Sequence, residues 1–134
     1  MFGRKEPKKK VHTIKYILLL EGLPNFKSDS VIEVVVDETD RLLTFKAIEG
    51  VTATLTFDKI IRYEEGVRLN VIQKSLLKSD TVKLKTLRIV YRSNDEEKSI
   101  LLSETNYGGA VYINSLKAYL YNNIKVDAPA HIEL

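Results

Sequence analysis

The stretch from Gly109 to Asn123 constrains the fold more than any other. Ile113, Leu116, Leu120 and Ile124 recur at intervals of three, four and four, which lines them along one side of an α-helix, with Tyr112 and Tyr119 as flanks. Nearly every segment before it reads as strand. A lone amphipathic helix behind a run of strands has to lie on a sheet or plug an open barrel. Left exposed, its stripe would cost several kcal/mol at roughly 25 cal/mol per Å².

The strands are legible in order. His12 to Glu21 is the first; Tyr16 to Leu20 is apolar on both faces, as in a central or doubly covered strand, and Gly22, Leu23 and Pro24 stop it. Ser30 to Asp37 alternates, with Ile32, Val34 and Val36 on one face. Arg41 to Ile48 groups Leu43, Phe45 and Ala47. In the fourth, Ala53, Leu55 and Phe57 alternate with a solvated ladder of Thr52, Thr54 and Thr56. Short turns join strands two to four, which predicts an antiparallel meander. Lys59 to Glu64 is a fifth strand, and Glu64-Glu65-Gly66 is expected to turn the chain. Val67 to Lys78 admits either a helical turn or a longer strand. The sixth strand, Thr81 to Arg92, changes phase between Val82, Leu84 and Leu87, Ile89, Tyr91, so a bulge is expected near Lys85-Thr86. Glu97 to Ser103 is the seventh. Thr105 or Asn106 is the expected helix cap, with Gly108 and Gly109 admitting the chain to the helix.

A chain of 134 residues is expected to form one domain, large enough to bury a core without staples. We divide it into a basic arm, 1–11, a folded body, 12–124, and a loose tail, 125–134. The chain has no cysteine, which excludes disulfides and thiolate chemistry and favours a reducing compartment. No apolar run reaches the roughly 18 residues of a membrane span, and no apolar segment follows the basic N-terminus. The expectation is a cytoplasmic protein without a signal peptide. The net charge of +3 is uneven. Residues 1–15 hold six basic residues against one acid, net +5, and the rest of the chain sums to −2.

No catalytic, cofactor or metal site is expected. The two histidines, His12 and His131, lie near opposite ends, and no motif sets a nucleophile or carboxylate beside either. The acids cluster in turns, Asp37-Glu38-Thr39-Asp40, Glu64-Glu65 and Asp95-Glu96-Glu97, where they ordinarily solvate the turn and bond its backbone. Asn106-Tyr107-Gly108-Gly109 could cradle a phosphate at the helix start, but it matches no phosphate-loop pattern, and a capping turn is its ordinary role. Two basic groups remain. Lys8, Lys9 and Lys10 in the arm are either a solubilising tail or a contact for phosphates or anionic lipid. Lys83, Lys85, Arg88 and Arg92 would form one outward strip free of acid if the bulge near Lys85 keeps both halves of the strand facing the same core. Lys74 and Lys78 lie upstream of that strip. Alternation sends Tyr91, its only aromatic, to the other face, unlike a nucleic-acid reader that stacks bases beside its cations.

Seven strands with short turns and one C-terminal amphipathic helix resemble the pleckstrin-homology superfold. Local features resemble its small bacterial members: Gly22-Leu23-Pro24 ending the first strand, Phe57-Asp58-Lys59-Ile60 after the threonine ladder, and a final apolar strand leading to Val111–Leu120. The resemblance covers roughly residues 12–124. It implies a bent antiparallel sheet or open barrel capped by the helix, and a binding module in place of an enzyme. Eukaryotic relatives bind inositol phosphates on basic residues of the first hairpin; here Leu23 to Asp29 has only Lys27, so that pocket is not expected. The resemblance also implies peptide binding along sheet edges or beside the helix. The expected function is therefore a non-catalytic module that binds a protein partner or itself through a sheet edge or the helix side. The alternatives are peripheral binding to anionic membrane through arm and strip, and binding to nucleic acid.

Overall fold

The computed structural model describes residues 10–105 and 110–124. Lys8 and Lys9, the Asn106–Gly109 loop with its candidate cap Asn106, and the 125–134 tail lie outside the described residues. The chain forms β1 (Val11–Glu21), β2 (Ser30–Asp37), β3 (Leu42–Ala47), β4 (Thr52–Thr56), a single 3₁₀ turn at Phe57–Lys59, β5 (Ile60–Ser75), β6 (Lys78–Ser93), β7 (Glu96–Glu104) and α1 (Val111–Asn123). The seven strands make one antiparallel sheet in the order β4-β3-β2-β1-β7-β6-β5. Among the described residues the sheet is not closed: β4 and β5 are its two edges.

The doubly apolar β1 is central, between β2 and β7. It also carries a phase slip. The register with β2 shifts between Ile14 and Ile17, and Tyr16 takes a left-handed φ of 60°. That extra residue is why Ile14 and Ile17, three apart, both reach the core. Gly22 ends β1 at φ 110°, and a Cβ there would overlap the Ser99 carbonyl oxygen of β7, so only glycine fits. In β2 and β3 the alternation places Ile32, Val34, Val36, Leu43 and Phe45 in the core.

Ile113, Leu116 and Leu120 of α1 are buried against that face, as their spacing requires. Ile124 is buried too, but as the extended residue that ends the helix, its N–H donating to the Leu120 carbonyl (2.9 Å). The N-cap is Ala110, which offers no side-chain bond; Thr105, expected as a cap, is buried beyond the end of β7.

Two expectations are corrected by the long hairpin. Glu64-Glu65-Gly66 is no turn: β5 runs through it, pairing Glu64 with Arg88 and Gly66 with Thr86. Gly66 sits where a Cβ would fall 2.7 Å from Thr86 Oγ1, so its glycine reflects a close cross-strand approach. The turn comes at Ser75–Lys78, and residues 67–75 are strand. There is also no bulge at Lys85-Thr86. Pairing with β5 is continuous from Arg62↔Val90 to Gln73↔Ser79, and pairing with β7 is continuous from Thr86 to Ser93. β6 therefore keeps strict alternation. Leu87 and Ile89 join the core, while Leu84 and Val90 are buried on the opposite face, apart from that core cluster.

Candidate functional site

Continuous register divides the predicted basic strip. Lys83 and Lys85 share the face of Leu87, Ile89 and Tyr91; Arg88 and Arg92 share the face of Leu84 and Val90. Tyr91 thus lies on the side of Lys83 and Lys85, half-buried against the core. The second half is also not free of acid. Arg88 Nη1 donates to Ser99 Oγ (2.7 Å) and lies 3.3 Å from Glu21 Oε1, and Arg92 pairs across the ladder with Glu97. Nearby, Arg62 Nε lies 2.9 Å from Glu64 Oε1, and the Arg62 guanidinium is raised above its ordinary value, chiefly by that hydrogen bond. This outer face is a charge-balanced ladder. Lys10, placed in the arm from sequence, belongs to the body: its N–H donates to Thr39 Oγ1 (2.9 Å) and its carbonyl accepts from the Glu38 N–H (2.8 Å).

The other half faces the helix. A cleft of about 250 Å³ opens between β5–β6 and the first half of α1, lined by Val67, Lys85, Leu87, Ile113, Asn114 and Lys117 among others. Its floor is apolar. Lys117 is ion-paired with Glu65 at the rim, and Lys85 Nζ stands 3.4 Å from Asn114 Oδ1. Burial of the neighbouring Tyr63 phenol pushes its pKa up. From this cleft β5 runs on past the end of β7, paired among the described residues only with β6. Over that stretch Val67, Leu69 and Val71 stand exposed on one face, beside Lys85, Lys83 and Thr81 of β6. Sequence reasoning passed over this row. Its period of two was visible, but the expected turn at Gly66 broke it.

The acids and the described histidine are committed elsewhere. Asp37 Oδ1 accepts the Asp40 N–H (2.8 Å), an ordinary turn bond. His12 Nε2 lies 2.7 Å from Glu38 Oε1, and its ring stacks on Tyr119 of α1. Glu38 Oε2 accepts from Asn123 Nδ2 (2.9 Å). Those two bonds, Asn123's first, hold the Glu38 carboxyl below its ordinary range. Glu104 is buried at the end of β7, and its Oε2 has no partner among the described residues. Among the described residues no three His, Asp or Glu side chains come together in a way that could hold a metal ion, and no helix is long and apolar enough to cross a membrane.

No protein-family model matches the chain, and a search of curated proteins finds no match.

Proposed function

We propose that this chain is a non-catalytic interaction module of the PH-like kind, which takes an extended segment of a protein partner, or of a second copy of itself, by strand addition to the free edge of β5. The observation that carries the reading is the combination at that edge. Among the described residues, one strand of sixteen residues pairs on one side only, exposes Val67, Leu69 and Val71 at alternate positions, and at Glu65–Val67 passes beside a cleft with an apolar floor under α1. Unpaired backbone N–H and C=O groups supply affinity in such an arrangement, and alternate side chains supply selectivity. The other edge is less suited: β4 has five residues and presents threonines to solvent. The strand order and the C-terminal helix are in keeping with a PH-like module. The non-catalytic reading rests on where the polar groups are used, since His12 and Glu38 are occupied in docking α1. A cytoplasmic location goes with a chain lacking cysteine. The nucleic-acid alternative is not favoured, because Arg88 and Arg92 face acids and Tyr91 packs on the core.

The test is a pair of variants. Val67→Glu with Leu69→Glu removes the apolar row while placing each new acid opposite Lys85 or Lys83, so the hairpin stays paired. Thr54→Glu changes the β4 face instead. Sedimentation velocity over a range of concentrations, with affinity capture from the parent cell, should show association lost in the first variant and kept in the second. Association unchanged in the first variant would refute the edge.

A further inference from the structure

We propose that the tip of the β5–β6 hairpin, Leu76 and Leu77, inserts into the surface of an anionic phospholipid bilayer. This goes beyond the edge reading and uses a different part of the hairpin.

The tip is built to present two aliphatic side chains. Leu76 is 96% exposed and Leu77 97%, the two most exposed large apolar residues described in the protein. A flexible loop would fold such residues back onto the nearest apolar surface. Here the turn is fastened instead: Ser75 Oγ accepts hydrogen bonds from the Lys78 N–H (3.1 Å) and the Leu77 N–H (3.4 Å). Ladder pairing closes beneath it, at Gln73↔Ser79 and Ser75↔Lys78. Ser75 lies nine positions beyond Gly66, which at about 3.3 Å each carries the tip about 30 Å from the level where β7 leaves the sheet. The leucines are therefore held away from the body and cannot be covered by it.

Charge selects the occupant. Residues 67–85 contain Arg68, Lys74, Lys78, Lys83 and Lys85 against the single acid Asp80, a net charge of +4. Lys78, Lys83 and Lys85 are exposed. Lys78, next to the two leucines, suits the phosphate level at the boundary of the acyl chains, while Lys83 and Lys85, about 16 and 23 Å further along the hairpin, add attraction that acts on approach at low salt. At that boundary apolar tips enter the hydrocarbon, and each cation near the surface is attracted by anionic headgroups. A second copy of the chain fits less well. Two hairpins of net charge +4 repel, and a two-residue tip covers far less than the roughly 800 Å² per partner of a stable protein interface. A bilayer needs no shaped partner surface and takes the leucines at any position.

The chain has no tryptophan, so Leu77→Trp supplies a single reporter at the tip and Thr54→Trp a control on β4. The full chain is mixed with vesicles of phosphatidylcholine alone, or of phosphatidylcholine and phosphatidylserine in equal parts, at low and physiological salt. The expected result has two parts. Tryptophan emission shifts to the blue at position 77 and not at position 54, only with the phosphatidylserine vesicles. Co-sedimentation of the parent chain with those vesicles falls about tenfold or more in the Leu76→Glu, Leu77→Glu variant. That variant alters only exposed side chains, and an unchanged melting temperature confirms that it folds. Binding equal in parent and double variant would overturn the proposal, leaving charge alone as the attraction. Absence of binding by the parent would also overturn it. So would a concentration-dependent dimer of the parent that the double variant abolishes without any vesicle binding, since the tip would then belong to a second copy. None of these outcomes touches Val67 or Leu69, so the edge reading stands or falls separately.

Discussion

The imidazole of His12 lies flat against the ring of Tyr119, with centroids 4.4 Å apart and 17° between the planes. One residue is at the start of the first strand and the other is near the end of the helix. The contact ties the C-terminal part of α1 to the sheet, and Glu38 completes it by accepting from Asn123 while bonding the far side of the imidazole. Arg41 adds a cation at the helix C-terminus, its Nη2 donating to the Asn123 carbonyl at 3.4 Å. Replacing His12 with alanine removes the stack and one hydrogen bond, and should cost about 1–2 kcal/mol in urea unfolding. Asn123→Ala should cost about 1 kcal/mol, and the two losses should not add, because both pass through Glu38.

The same group sets an acid response. The Glu38 carboxyl is held below its ordinary value of 4.5 by its bonds to Asn123 and His12. A carboxylate with a depressed folded-state pKa contributes stability that is complete above the unfolded value and is lost as pH falls through the folded one. The parent chain should lose stability as pH falls below the ordinary carboxyl value of 4.5 and through the lower folded-state value. Glu38→Gln should be less stable at neutral pH and show a flatter profile in that window, measured by melting temperature against pH.

Gly22→Ala should destabilise by about 2 kcal/mol or more, since the added methyl meets the Ser99 carbonyl and the backbone at φ 110° resists a side chain. Thermal unfolding reads this directly. Gly50, at φ 93° with open space around it, should give a smaller loss on the same substitution, from backbone strain alone.

Leu120→Ala should cost about 2–5 kcal/mol, because that side chain is fully buried between α1 and the sheet. Tyr121→Ala, one residue further along an exposed face, should change stability by less than about 0.5 kcal/mol. The contrast between adjacent residues checks the orientation of the helix.

Splitting of the basic residues between two faces of β6 has its own signature. Arg88→Glu sets an acid beside Glu21 and opposite Glu64, and should cost about 1 kcal/mol at low salt, less at high salt. Lys83→Glu, opposite Leu69 on the other face, should stay within about 0.5 kcal/mol of the parent.

The sequence was most readable where one face of a strand is buried and the other wet. The threonine ladder obeys that condition, Ser30 to Asp37 comes near it with a half-buried opposite face, and the stripe of α1 shows the same contrast, so the buried faces follow from period, although the helix starts at Val111 and Phe57 falls in the 3₁₀ turn. β6 does not obey the condition. Leu84 and Val90 are buried on one face, and Leu87 and Ile89 on the other, so a real alternation looked like a change of phase. The actual slip lies in β1 at Tyr16, where an unbroken apolar run hid it. Glu64-Glu65-Gly66 looked like a turn because two acids and a glycine favour one locally. Fourteen paired residues on each side of the hairpin outweigh that preference. The basic residues were found, but their division into an acid-paired group and a group on the helix side depends on that register.

The position of β1 has a consequence for assembly of the chain. β1 to β4 form a meander from neighbouring segments, and β5 to β7 form a second; among the described residues their backbone ladders join where β1 meets β7, with Ile17 opposite Glu104. Everything on either side of that seam closes over short loops, whereas the seam joins residues 87 positions apart, Ile17 and Glu104. The seam carries the largest loop-closure cost and is the natural rate-limiting event in folding. It also sets where the chain can be cut without breaking a strand: cleavage at the exposed Asp58, between β4 and β5, would separate the two meanders.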